Sequence, residues 1–108
     1  MSNCRPANWV VLRMTNEDET FYKVLGGWGG GYLDGDSWRL NSGIVRVDEE
    51  ANNWLFYGSS GSCYTCPKGE YGLRMNIAGI FKQLQDIGDV VFMDKDTDWT
   101  SINYDRVA

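Results

Sequence analysis

The sequence predicts a single α+β domain with a mainly antiparallel sheet and one helix. The chain has 108 residues, close to the usual size of one domain, so one core spanning residues 1–108 is expected. Its 13 glycines and 14% aromatic residues favour strands and turns over helices. We expect seven or eight short strands in a small barrel or a strongly curled sheet. The alternative is a flatter sheet with the helix lying across one face.

Short runs of β-branched and aromatic residues between polar or glycine-containing turns predict the strands. The runs cover residues 9–14, 20–25, 37–40, 44–48, 54–57, 62–66, 89–93 and 99–104. The polar cluster 15–19 joins the first two runs and predicts a hairpin. The run 89–93 contains Val-Val-Phe-Met and predicts a buried strand, whereas 99–104 alternates and predicts a last strand.

The helix is predicted over residues 77–87, where the sequence changes to a helical period. Apolar residues share one face at Ile77, Ile80, Phe81, Leu84 and Ile87. Asn76 is expected to cap the N-terminus, and Gly88 is expected to end the helix in the left-handed conformation.

A glycine-rich stretch at residues 26–31 is predicted to be a loop, because five of its six residues are glycine and only Trp28 can anchor it. A fainter copy of this motif follows later in the chain. Its members Gly58, Gly61 and Tyr64 repeat the spacing of Gly26, Gly29 and Tyr32. Two explanations stay open, which are an internal duplication and a chance recurrence in a chain rich in glycine.

The charge of −5 and the isoelectric point near 4.5 argue against nucleic acid as a ligand, because phosphate binding needs clustered Lys and Arg. An acidic face, including Asp94, Asp96 and Asp98, could instead meet a basic surface of a partner. The sequence contains no apolar run long enough for a membrane span, and its start lacks the apolar core of a signal peptide. We therefore expect a cytoplasmic protein.

Cys63 and Cys66 form a Cys-x-x-Cys unit, which occurs in redox dithiols and zinc sites. Cys4 is the only further thiol and the chain has no histidine, so a zinc site would need another ligand to complete it. If both cysteines lie in a strand, their odd offset puts them on opposite faces. Three alternatives stay open, which are ordinary thiols, a metal site such as zinc, and a disulfide or redox role.

The absence of histidine also removes the usual general base of serine and cysteine hydrolases. No spacing of carboxylates selects a catalytic pair, and a chain of this length has little room for both a core and a deep cleft. The expected protein is not an enzyme, and apart from zinc no cofactor is expected.

The aromatic residues beside the glycine motifs are the better candidates for function, because Trp and Tyr supply much of the energy of protein interfaces. The predicted partner-binding residues are Trp28, Tyr32, Asp34, Asp36, Trp38 and Tyr64. Alternatively, these rings fill the core and pack over glycines that have no side chains.

Three motifs carry a resemblance. These are Gly-Trp-x-Gly-Gly-Tyr-Leu-Asp-Gly-Asp-x-Trp-Arg-x-Asn-Ser-Gly-Ile over residues 27–44, Ser-Gly-Ser-x-Tyr-x-Cys over 60–66 and Tyr-Gly-Leu over 71–73. The pattern resembles small accessory proteins of tailed phages, notably marine and cyanobacterial ones. This resemblance implies a non-enzymatic protein that works in the bacterial cytoplasm and binds or inhibits a host protein. The alternatives are a small ligand-binding domain, for carbohydrate or zinc, and a structural subunit of a virion.

Overall fold

A computed structural model describes residues 3–17, 19–28, 37–73, 75–102 and 104. Within these ranges lie eight strands, one α-helix and a short 3-10 turn at Lys68–Glu70. The strands are β1 (Asn3–Cys4), β2 (Asn8–Asn16), β3 (Glu19–Trp28), β4 (Ser37–Leu40), β5 (Ile44–Glu49), β6 (Asn53–Gly58), β7 (Cys63–Pro67) and β8 (Asp89–Phe92), and the helix is α1 (Met75–Ile87).

The strands form two four-stranded sheets. Sheet A has the order β1-β7-β6-β5, and sheet B has the order β4-β3-β2-β8. Each sheet is a three-stranded antiparallel meander to which one strand from elsewhere in the chain is added. The added strand of sheet A, β1, pairs with β7 in parallel, and the added strand of sheet B, β8, pairs with β2 antiparallel.

Sheet B is the middle layer of the molecule, because its strands alternate between two buried faces. One face packs with sheet A around Cys4, Trp9, Val11, Val24, Ile44, Phe56, Tyr64, Cys66 and Trp99. The opposite face packs with α1 around Val10, Leu12, Leu25, Ile77, Phe81 and Val90. The result is a layered arrangement of sheet A, sheet B and helix.

The predicted class, mostly antiparallel β with one helix, is confirmed. The described strands form no closed barrel, since β1 and β5 end sheet A while β4 and β8 end sheet B. The helix lies across one face of sheet B, as in the alternative arrangement considered from the sequence.

The predicted glycine loop is wrong at its start, because β3 continues through Gly26 and Gly27 to Trp28. β3 is hydrogen-bonded to β2 on one side and to β4 on the other, so both edges of its backbone have partners. Gly26 also lies against Pro6, whose Cβ would stand 2.9 Å from a Cβ at position 26. Close approach of the backbone explains this glycine better than a loop does. Residues 29–31 of the predicted loop lie outside the described residues.

The predicted last strand, 99–104, is also wrong over the residues described there. The Asp98 carboxylate accepts hydrogen bonds from Thr100 N at 3.1 Å and Thr100 Oγ1 at 2.6 Å, which turns the backbone instead of extending it. Ser101 Oγ adds a 2.9 Å bond to the Asp98 carbonyl oxygen. Trp99 nevertheless lies in the core between the sheets.

The helix begins at Met75 and ends at Ile87, so its predicted C-terminus is confirmed. Asn76 lies inside the helix and is not its N-cap. Gly88 follows the helix, but its φ is outside the left-handed region, because the chain enters β8 directly. None of the described helices is long and apolar enough to cross a membrane.

Candidate functional site

The predicted partner-binding residues fall in different environments. Trp28 is half-buried, and its Nε1 donates to the Arg5 carbonyl oxygen at 2.9 Å. Trp38, on the edge strand β4, is 47% exposed, whereas Tyr64 lies in the core between the sheets. The other predicted residues lie outside the described part of the chain, and they are Tyr32, Asp34 and Asp36.

The three cysteines are buried free thiols. Tyr64 and Cys66 are two residues apart in β7, and both point into the core between the sheets. Cys63 lies next to Tyr64 in the strand, opposite Tyr57 of β6, so its side chain points to the other face of sheet A. Burial raises the pKa of the Cys63 thiol and raises the pKa of Cys66 well above its ordinary value. Within the described ranges, no group of three or more Cys, Asp or Glu side chains is arranged to hold a metal. This arrangement gives the predicted zinc site over Cys4, Cys63 and Cys66 no support.

The acidic segment near the C-terminus uses its carboxylates to form turns. Asp94 Oδ1 accepts a 2.9 Å hydrogen bond from the backbone N of Asp96, and Thr97 Oγ1 donates to the Asp94 carbonyl oxygen at 2.6 Å. Asp94, Asp96 and Asp98 are all exposed. The segment is a solvated tip whose charge could still face a partner.

An exposed apolar edge lies at β8, which sequence reasoning placed in the interior. Ile87, at the end of α1, is 83% exposed, and Val91 and Phe92 in β8 are also exposed. We call these three residues the β8 edge. Beside it is a groove of about 450 Å³, whose lining combines the apolar residues Met14, Phe21, Leu84, Ile87 and Val90 with polar ones that include Lys23 and Asp89.

The backbone of the β8 edge can be assigned from its pairing. Val91 lies opposite Arg13, and Met93 N donates to the Val11 carbonyl oxygen at 2.8 Å. Because hydrogen-bonded and non-hydrogen-bonded pairs alternate in an antiparallel ladder, Val90 and Phe92 turn their N–H and C=O groups outward. Gln85 Nε2 covers one of these groups, donating to the Val90 carbonyl oxygen at 3.2 Å.

A second concave site lies between the sheets, where the link from β4 to β5 meets the turn from β6 to β7. Asn41 holds it to β3: its backbone N donates to the Val24 carbonyl oxygen at 3.0 Å, and its Oδ1 accepts from Val24 N at 2.9 Å. The Asn41 side chain is only 3% exposed, and its Nδ2 has no hydrogen-bond partner among the described residues. The site therefore contains a buried N–H donor that lacks a hydrogen-bond acceptor among the described residues.

Three serine hydroxyls surround this site. Ser42 Oγ accepts from Ser60 N at 3.0 Å and donates to Ser60 Oγ at 3.1 Å, and Ser60 Oγ lies 3.4 Å from Ser62 Oγ. Gly58 lies beneath them, where a Cβ would come within 2.7 Å of Ser42 Oγ and 2.9 Å of Ser62 Oγ. Only glycine leaves these hydroxyls in place.

Together with Asn41, Arg39, Cys4 and Tyr64, the serines line a cavity of about 270 Å³, which we call the serine pocket. Arg39 is exposed, and its Nη1 donates to Cys4 Sγ at 3.3 Å. Burial raises the pKa of Tyr64 to about 12, so its hydroxyl keeps its proton at neutral pH.

Reasoning from the sequence missed the β8 edge, and it named Cys4 and Tyr64 as candidate site residues without predicting the serine pocket that they line. The segments 41–43 and 58–62 have the composition of ordinary turns. The Val-Val-Phe run predicted burial, because its composition does not show that β8 lies at an edge.

Comparison with known proteins gives no match to a family model, to a curated protein or to a solved structure.

Proposed function

We propose that this protein is a non-enzymatic protein-binding module, which accepts an extended segment of a partner as an additional strand along β8. The observation that carries this proposal is an apolar edge strand beside an open groove. Such edges are templates for pairing with another chain, and proteins that bind no partner there usually protect them.

The β8 backbone supports strand addition. Val90 N–H and both backbone groups of Phe92 point away from β2 and have no partner among the described residues. Gln85 covers only the Val90 carbonyl oxygen. An incoming strand would satisfy the three remaining groups with main-chain hydrogen bonds, which provide affinity without demanding a particular sequence.

The groove supplies preference for apolar side chains. Val90, Met14 and Phe21 lie opposite one another on successive strands, so they share the face of sheet B that carries the helix. Alternate side chains of an added strand point to this same face, beside the end of α1. We therefore expect the partner segment to place an apolar residue against Ile87 and the groove.

Charge favours a partner segment with basic residues near the apolar one. Asp86 and Asp89 are exposed next to the β8 edge and the chain carries a net charge of −5, which outweighs the local positive charge of Arg13, opposite Val91, and of Lys23 in the groove. Opposite charge on the partner would speed association more than it would increase affinity.

The resemblance to accessory proteins of tailed phages supplies the setting of the proposal. In that setting the partner is a bacterial host protein in the cytoplasm. Binding of this module would inhibit or redirect that host protein. The absence of histidine from the sequence supports a role in binding instead of catalysis.

The test is an affinity pull-down from bacterial lysate with two substitutions at one position. Phe92→Ala removes the ring but keeps the outward N–H, whereas Phe92→Pro removes both. A partner should be recovered with the wild type, more weakly with Phe92→Ala, and not with Phe92→Pro. Val45→Lys is the matched control, because Val45 is an exposed apolar residue on the edge strand β5 of sheet A.

Circular dichroism must first show that all variants keep the wild-type fold. A partner recovered equally with every variant would contradict the assignment of binding to β8. Dimerisation that is abolished by Phe92→Pro, without a captured partner, would instead favour pairing with a second copy and the virion-subunit alternative. Light scattering after gel filtration distinguishes that outcome.

A further inference from the structure

We propose that the serine pocket binds a small oxyanion, namely a carboxylate or phosphate group. The serine pocket contains no residue of the β8 edge, although it shares Ser42 with the groove beside that edge, and the inference does not depend on protein binding there.

The first argument is the orientation of the Asn41 amide. Val24 N–H requires an acceptor at 2.9 Å, and only Oδ1 can provide one, so the amide cannot be turned over. Nδ2 is therefore fixed on the other side of the side chain, next to the serines, without a partner in the described structure. A buried N–H without an acceptor is costly, and a bound acceptor would remove that cost.

The second argument is the charge of the site. Of the described residues that line the serine pocket, only Arg39 carries a formal charge, although acidic residues outnumber basic ones by 15 to 10 in the chain. Its guanidinium presents a planar set of N–H donors that matches the geometry of carboxylate and phosphate groups. The contact with Cys4 Sγ uses Nη1 and makes no ion pair.

The third argument is the number of donors that converge there. The linked hydroxyls of Ser42, Ser60 and Ser62 can rotate to donate to an incoming oxygen. Tyr64 stays protonated at neutral pH and so adds no competing negative charge. The cavity of about 270 Å³ is larger than a single water needs and is enough for an oxyanion group with part of its carrier.

The experiment is a titration of ¹⁵N-labelled full-length protein with sodium phosphate and, separately, sodium acetate, each at constant ionic strength set with sodium chloride. The signals to follow are the Asn41 side-chain amide and the backbone amides of Ser60 and Ser62. We expect saturable shifts confined to this region. Saturation by phosphate alone identifies a phosphate site, saturation by acetate alone identifies a carboxylate site, and saturation by both identifies a general oxyanion site.

Two variants test the named contacts. Arg39→Gln should weaken binding by about tenfold or more, because it removes the charged donor. Asn41→Asp keeps the acceptor for Val24 N–H but replaces the Nδ2 donor with an oxygen, so it should abolish binding. Arg46→Gln is the matched control, because Arg46 pairs with Asp48 at an exposed position of sheet A, and it should leave the affinity unchanged.

Either of two results would overturn the proposal. One is the absence of a saturable shift with both probes up to about 50 mM, a range that covers even weak affinities. The other is an affinity that is unchanged in Arg39→Gln, provided that the variant keeps the wild-type spectrum elsewhere. Since both probes are small ions, neither result bears on whether β8 binds a protein.

Discussion

Gly58 lies against two serines of the serine pocket, and their hydroxyls leave no room for a Cβ at this position. Ser42 Oγ and Ser62 Oγ would stand 2.7 Å and 2.9 Å from such an atom. The constraint is steric, because the Ser42 and Ser62 hydroxyls can keep their positions only if residue 58 is glycine. Each hydroxyl can move only by losing a contact with Ser60.

We predict that Gly58→Ala lowers the free energy of unfolding by about 1–3 kcal/mol, the usual cost of forcing an extra methyl into a packed site. Urea denaturation measures the difference. Gly69→Ala is the control, because nothing lies within 4 Å of a Cβ at position 69, and its effect should stay within about 0.5 kcal/mol. Equal effects of the two substitutions would show that the Ser42 and Ser62 side chains can move away from an added methyl group without a cost in stability.

The serine pocket shows why single residues of the site escaped sequence reasoning. Its members come from β1, from β4 and the link after it, and from the turn after β6 and the start of β7, and each segment alone has the pattern of a strand or turn. The missing hydrogen-bond acceptor for Asn41 Nδ2 becomes evident only once Asn41 Oδ1 is seen to accept a hydrogen bond from Val24 N. The spacing of residues along the sequence does not predict this hydrogen bond between Val24 and Asn41.

At the level of elements, Tyr71 joins the end of β8 to β2. Its hydroxyl accepts a 3.2 Å hydrogen bond from Val11 N and donates to the Met93 carbonyl oxygen, so the side chain is inserted between the two strands. The ring also packs edge-on against Trp9, with 4.7 Å between the centroids. One side chain therefore completes the ladder and fills the core.

Tyr71→Phe should destabilise the fold by about 1–3 kcal/mol, since it leaves the partly buried Val11 N–H and Met93 carbonyl oxygen without this partner while preserving the ring. We also expect faster amide hydrogen exchange at Val91 and Met93, measured by NMR, because β8 loses its attachment at one end. Tyr57→Phe serves as the comparison, since Tyr57 lies half-buried on the outer face of sheet A. Unchanged exchange in β8 would refute the bridging role.

The elements themselves were largely predictable. Strand-forming runs and the helical period of 77–87 are local signals, and seven of the eight predicted strands and the helix occur close to their expected positions. The predictions were wrong where contacts with other parts of the chain determine the local backbone structure. Gly26 and Gly27 become strand because β2 and β4 flank them, and residues after Asp98 turn because its carboxylate captures Thr100. The parallel pairing of β1 has no local signal at all.

For the molecule as a whole, buried phenols set the response to alkali. Burial raises the pKa of Tyr64 and of Tyr71 to about 12, and it raises the pKa of Tyr104 further. In the unfolded chain these groups have a pKa of about 10. Since the folded state binds their protons more tightly, their contribution to stability is complete below the unfolded pKa and is lost as the pH rises toward the folded values.

We therefore predict a stability that falls progressively above about pH 10 as these tyrosines ionise on unfolding. Urea denaturation at a series of pH values between 8 and about 11.5 measures the trend. The Tyr71→Phe variant, which has one fewer such phenol, should show a smaller decline from its own value at pH 8. A free energy of unfolding that stays constant to the top of this range would contradict the prediction.

The parallel pairing of β1 with β7 also has a consequence for synthesis of the chain. Asn3 pairs with Cys63, so these partners are 60 residues apart, and both lie in sheet A. During translation, β1 leaves the ribosome before β7 and has no pairing partner in sheet A until the intervening residues and β7 have emerged. The β2–β3 hairpin, with its short connection, can form long before that. β1 is thus synthesised well before its partner, and the growing chain must keep β1 available for pairing until β7 emerges.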